Sequence, residues 1–203
     1  MITIDPAAQN ERDNYKLLIG SVVPRPIALV TTLTKDGVLN AAPFSYFSIV
    51  SASPPLLSVS VQRKQGAMKD TARNAIEAGA FVIHITDESI VERVNETAAA
   101  LPPDESEVTR AGFTPVASEA IAVPGLKEAK IRMECVLEQA IPLGGSGSGP
   151  ACDLLIGRVV RFHLAEDVYE DGHIDPVALN PVSRMAGSTY AKLGAMFAIE
   201  RPV

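Results

Sequence analysis

The sequence predicts a mainly β fold, an antiparallel barrel with peripheral helices. About six or seven strand-like runs are separated by short helical stretches, and β and α segments do not alternate regularly, so a doubly wound parallel sheet fits poorly. An Asp-Gly turn and a Gly/Ser tract each join two such runs as hairpins. The chain has 203 residues, 47% of them hydrophobic, which suffices for one well-buried core and suggests one domain over residues 1–203.

Pro24-Arg-Pro26 cannot lie inside a helix, and the apolar, partly β-branched run from Ile27 to Leu33 predicts a buried strand. Asp36-Gly37 supplies the turn, so Val38 to Ala42 should return antiparallel until Pro43 ends the pairing. Asn40 to Ser48 is too polar and too interrupted by proline for a core strand, and we expect an irregular segment there. After Pro54-Pro55, Leu57, Val59 and Val61 alternate with Ser58, Ser60 and Gln62, the period of a strand with one apolar and one polar face. Asp70 or Thr71 can cap a helix with Ala72, Ala75 and Ile76 facing inward and Gly79 closing it. Phe81 to Thr86 is a further strand. A second helix should begin at Asp87, with Ile90, Val91, Val94 and Ala98 on one face. The acidic 104–107 segment should be a surface turn or short helix stopped at Gly112. Ala129 to Leu143 and Leu154 to Leu164 should pair as a long hairpin around Gly144 to Gly149, and Asp175-Pro176 marks a turn in the tail.

A net charge of −6 argues against nucleic acid, which calls for clustered Lys and Arg. We expect a cytoplasmic chain, because the N-terminus lacks a basic segment followed by an apolar run and no stretch of about 18 apolar residues occurs. Cys135 and Cys152 lack the spacing of a redox dithiol and should be two buried thiols. His84, His163 and His173 are scattered without metal-ligand spacing. The Gly/Ser tract opens a strand rather than a helix, so it matches no phosphate-binding loop.

Two segments carry chemistry. The head of the helix at Lys69-Asp70-Thr71 offers unpaired N–H groups, a cationic side chain and a hydroxyl, the parts of a phosphate seat. A plain helix cap beside a solvated lysine accounts for the same residues. Asn40 to Ser48 offers an amide, hydroxyls and free backbone groups for a heteroaromatic edge, with Phe44, Tyr46 and Phe47 as walls. Core packing of those aromatics is the alternative.

Taken together, Pro24 to Thr32, Asp36-Gly37, Asn40 to Ser48, Pro54-Pro55, Lys69-Asp70-Thr71 with Asn74, Gly157-Arg158-Val159 and Arg184-x-x-Gly-x-x-Tyr190 resemble the flavin reductase-like family of FMN-binding split barrels. The resemblance runs over residues 15–195 and implies a homodimer that binds FMN near the subunit interface. Phe44, Ser45, Tyr46, Phe47, Ser48 and Asn40 would hold the isoalloxazine edge, with Ser60 and Gln62 on the adjacent strand. Arg63, Lys69 and Thr71 would take the phosphate, with Asp70 in the same cofactor site, and Arg25, Arg184 and Tyr190 would close it. The implied activity is hydride transfer from NADH or NADPH to flavin N5. A non-enzymatic FMN electron carrier serving a redox protein partner, like a flavoredoxin, is the rival. The family often has glycine where this chain has Ala186, which predicts a looser backbone approach there.

Overall fold

The computed structural model describes residues 1–145 and 149–202. Part of the predicted Gly/Ser hairpin loop, residues 146–148, lies outside the described residues. Along the chain the main elements are α1 (Glu11–Ser21), β1 (Ala28–Leu33), β2 (Leu39–Phe44), β3 (Phe47–Ala52), β4 (Pro55–Gln62), α2 (Asp70–Ala78), β5 (Ala80–Ile85), α3 (Val91–Glu96), α4 (Glu107–Arg110), β6 (Ile131–Leu143) and β7 (Cys152–Leu164).

All seven strands form one antiparallel sheet in the order β2-β1-β5-β6-β7-β4-β3. Its two end strands are consecutive in sequence, joined only by Ser45 and Tyr46. In a flat sheet those ends would stand about 29 Å apart, whereas three Cα–Cα steps reach at most about 11 Å. The sheet therefore curls until its edges meet, and the barrel expected from the sequence follows from that short crossover. Tyr46 O accepts from Ser60 N at 2.9 Å, which stitches the crossover to β4.

The barrel interior is apolar. Val30, Val59, Val61, Phe81, Ile83, Cys135 and Leu155 are almost wholly buried there. Ala72 and Ala75 of α2 pack into the same cluster. Gly157 explains itself by packing, since a Cβ there would sit 2.5 Å from Phe81 Cζ and 3.0 Å from Cys135 Cβ. A second cluster on the outer face joins Leu29 and Ala41 to Ile90, Val94 and Val108 of the short helices.

Several sequence expectations are corrected. Pro43 does not end pairing but lies opposite Leu29, so most of the supposed irregular segment is β2 and β3. An edge strand tolerates the missing N–H, because one side of it needs no donor. Lys69, not Asp70 or Thr71, occupies the N-cap of α2 and makes no side-chain cap bond. Ile76 is exposed rather than inward. The helix expected from Asp87 is only Val91–Glu96, and Asp87 instead accepts from Ser89 N at 2.8 Å in a local turn. Ala98 is exposed. Glu107, expected on the surface, is buried. Asp175 caps the short Pro176–Leu179 helix rather than marking a turn alone. Cys152 is only partly buried. Ala186 is exposed in the 183–191 hairpin, and Gly187 beside it takes the positive φ of 61°. Helix α1 has no counterpart in the sequence-derived elements, although Asn10 as N-cap and Glu11 and Asp13 in the first turn signal it. No helix of the described residues is long and apolar enough to cross a membrane.

Candidate functional site

Two adjoining clefts open where the chain crosses between sheet edges. The larger, about 580 Å3, is lined by the end of β2 from Asn40 to Phe44, the Lys64–Thr71 approach to α2, and the 97–101 segment with Glu107. The smaller, about 290 Å3, is lined by Tyr15 and Ile19 of α1, Arg25, Pro43 to Tyr46, Ser60 and Gln62 of β4, and Arg184, Met185 and Gly187 of the tail hairpin. Pro43, Phe44 and Lys69 belong to both, so the clefts are two compartments of one site.

The first compartment centres on the N-terminus of α2. Because Lys69 supplies no cap, the first amide groups of this helix are open to an anion. Asp70 would repel one, but its carboxylate pairs with Arg73 at 2.6 Å. Thr71 is only 4% exposed, and its hydroxyl makes no hydrogen bond among the described residues. The hydroxyl is thus left free to donate to a group that enters the cleft. Asn40, by contrast, is already engaged at both ends of its amide. It donates to Glu107 Oε2 at 2.9 Å and accepts from Asn74 Nδ2 at 2.8 Å. Ala41 N donates to the same Glu107 oxygen at 3.3 Å. This network fixes the wall of the cleft, and neither Asn74 nor Glu107 was singled out for that role by sequence.

The second compartment has aromatic walls and a cationic rim. Phe44 is buried and Tyr46 half-buried, and burial raises the Tyr46 phenol pKa above its ordinary value, an effect that nearby Tyr15 adds to and Arg25 opposes. Ser60 Oγ accepts from Gln62 Nε2 at 3.0 Å, which leaves a polar face on β4 beside the walls. Arg25 is 6% exposed. Its guanidinium donates to the carbonyls of Ile19 at 2.8 Å, Val22 at 2.5 Å and Met185 at 2.9 Å, and reaches Ser45 Oγ at 3.4 Å. One buried side chain thus ties α1 and the tail to the crossover.

The structure therefore brings together Arg25, Asn40, Phe44, Ser45, Tyr46, Ser60, Gln62, Lys69, Asp70, Thr71 and Arg184. It sets the other expected site residues apart. Phe47 packs against the barrel core, and Ser48 is exposed with its hydroxyl turned to Ile49 O at 3.3 Å. Arg63 donates twice to Asp153, at 2.7 and 2.9 Å, and this pairing holds its pKa above the ordinary value. Tyr190 lines a separate cleft, where its hydroxyl donates to Asn95 Oδ1 at 3.0 Å beneath the Arg184 guanidinium.

Comparison with known proteins bears on this geometry. The pattern of the flavin reductase-like domain matches residues 19–180. An uncharacterized protein of Bacillus subtilis is 57% identical over 193 residues, 94% of either chain. The crystal structure of nitrilotriacetate monooxygenase component B from Bacillus cereus superposes with a TM-score of 0.97 at 65% identity, over 98% of both chains. That of the 2-nitrobenzoate 2-nitroreductase of Pseudomonas fluorescens does so with a TM-score of 0.89 at 30% identity, over 99% of this chain and 96% of its own. With a flavin-family pattern over most of its length and a close relative that covers nearly all of it, the chain belongs to the flavin reductase-like domain family.

Proposed function

We propose that this chain binds FMN across the two clefts and acts as an NAD(P)H-dependent flavin reductase. The carrying observation is Thr71, whose hydroxyl lines the larger cleft with no partner among the described residues, set beside an uncapped helix N-terminus and next to an aromatic-walled cleft. Those residues fit a planar ring joined to a phosphate. Lys69, Thr71 and the first amides of α2 hold the phosphate, the helix dipole favouring the negative charge. Phe44 and Tyr46 wall the ring, and Ser45, Ser60 and Gln62 offer polar contacts to its edge. When bound, FMN supplies the redox chemistry, taking hydride from reduced nicotinamide at N5, a step that calls for no protein acid or base. The residues of the chain accordingly bind, orient and exclude water.

We extend the proposal to a homodimer working in the cytoplasm. Ile49 and Val50 on the edge strand β3 and Phe197 and Ile199 in the tail are exposed, an arrangement that a second copy would cover. Both cysteines are free, which suits a reducing compartment. The similar monooxygenase component B carries the name of one part of a larger system, and electrons handed from reduced flavin to a separate oxygenase would give this chain a comparable role.

Reconstitution with FMN, followed by anaerobic mixing with NADH or NADPH while the flavin absorbance is watched, tests the reading. Bleaching by either nucleotide is expected. Protein that holds FMN yet is bleached by neither would not be a reductase, and rapid reduction by a redox protein alone would assign it to the electron carriers.

A further inference from the structure

We infer, resting on the FMN reading above, that the smaller cleft binds two-electron-reduced flavin more tightly than oxidised flavin, and that Arg25 is responsible. The charge at this cleft is the starting point. Its lining includes Arg25, Lys69 and Arg184 and not one carboxylate, although the whole chain carries a net charge of −6. Neither Arg25 nor Arg184 takes part in an ion pair among the described residues. Arg184 donates to the Gly187 carbonyl at 2.5 Å, and Arg25 donates to three carbonyls and a hydroxyl.

Carbonyl dipoles lessen the cost of burying a guanidinium but leave its charge in place. Buried charges are ordinarily paired, and Arg25 lines the cleft beside Ser45 and Tyr46. What would complete such a pair is an anion that arises in the cleft. Hydride from reduced nicotinamide carries two electrons and one proton, so the oxidised flavin ring gains one negative charge while the nicotinamide becomes its oxidised cation. Flavin reduction therefore creates the counter-charge that Arg25 lacks. Because Arg25 is held at 6% exposure by bonds to α1 and the tail, its charge is fixed before the reaction and needs little reorganisation to meet the new one. The consequence is retention: flavin would stay bound after reduction and behave as a resident cofactor rather than a passing substrate.

The test measures the FMN midpoint potential by dye equilibration, alongside the affinity for oxidised FMN by fluorescence quenching. The wild-type chain should bind reduced FMN at least tenfold more tightly than oxidised FMN, which places its midpoint about 30 mV or more above that of free FMN. Arg25→Gln should remove most of that difference, and Arg25→Lys should keep it. Arg184→Gln, which leaves the ties to α1 in place, should narrow the difference and serves as the reading if Arg25→Gln does not fold. A wild-type midpoint at or below that of free FMN would overturn the inference. So would an unchanged difference in folded Arg25→Gln, or in Arg184→Gln where Arg25→Gln does not fold, or a loss in Arg25→Lys equal to that in Arg25→Gln. FMN binding without preference for either form sinks this inference alone, whereas no FMN binding sinks the functional reading beneath it.

Discussion

Thr71→Val separates a ligand-facing hydroxyl from a structural one, because the two roles predict opposite results. Thr71 is 4% exposed and its hydroxyl bonds to no described residue, so valine of nearly the same shape leaves no protein group unsatisfied. Stability of the ligand-free protein should change by no more than about 0.5 kcal/mol, since helix propensities of Thr and Val are close and no protein hydrogen bond is lost. Binding of FMN should suffer instead. A hydrogen bond to a charged group contributes about 1.5–3 kcal/mol, and at about 1.4 kcal/mol per decade the Kd should rise roughly 10- to 150-fold. Riboflavin, which has the ring and no phosphate, should bind both proteins equally. Quenching of flavin fluorescence gives all four affinities, and thermal melts of the ligand-free proteins give the stability change. Equal FMN affinity in a folded Thr71→Val protein, or an equal loss for riboflavin, would refute the placement of phosphate at α2.

Other perturbations test the scaffold. Burial, aided by the charge of Arg132 and opposed by the bond to Leu29 O, depresses the His84 pKa from 6.5 to about 4. The unfolded chain therefore takes up a proton that the native one refuses. The contribution of neutral His84 is complete above pH 6.5 and falls as pH drops toward 4, by about 3 kcal/mol in all. Urea midpoints between pH 7 and 4.5 should show this slope and lose it in His84→Gln. Gly157→Ala should cost about 1–3 kcal/mol by overpacking against Phe81, read as a lowered Tm. Glu107→Ala orphans the donors of Asn40 and Ala41 and should cost about 1–3 kcal/mol for each, whereas Glu107→Gln keeps one acceptor oxygen and should retain most of the stability in the same melts.

The strands were legible because burial imposes a period of two, and β4 shows it plainly with Leu57, Val59 and Val61 buried and Ser58 and Ser60 less so. The Asp36-Gly37 turn and the β6–β7 pairing were legible for a similar local reason. Pro43 misled because proline excludes a residue from central strands only, and which strand lies at an edge is settled by partners far away in sequence. Helix α1 lacks a continuous apolar stripe, with only Ile19 buried, so its cap and first-turn acids were the signals available. The Asn40–Asn74–Glu107 network joins residues 34 and 67 positions apart, and no local pattern marks it. Arg63 looked like a phosphate ligand beside Lys64, yet its partner Asp153 lies 90 residues on, in β7.

The crossover at Ser45-Tyr46 accounts for both fold and site. Two residues are too few to let the sheet lie flat, so closure of the barrel is forced by connectivity rather than by any preference of those residues. The same brevity leaves Ser45 and Tyr46 between two strands that pair elsewhere, so that, apart from the Tyr46 carbonyl bonded to Ser60 N, they line a cleft. Helix α2 follows β4 after residues 63–69, and its N-terminus opens beside the Phe44 end of β2 because Ala72 and Ala75 enter the barrel cluster. Arg25 then draws α1 and the tail over the remaining side. Each of these placements is required by apolar burial or by hydrogen bonding of buried groups, and together they set an uncapped helix, aromatic walls and an unpaired cation around one space. The space lined by Lys69, Thr71 and Arg25 is thus a consequence of closing the sheet.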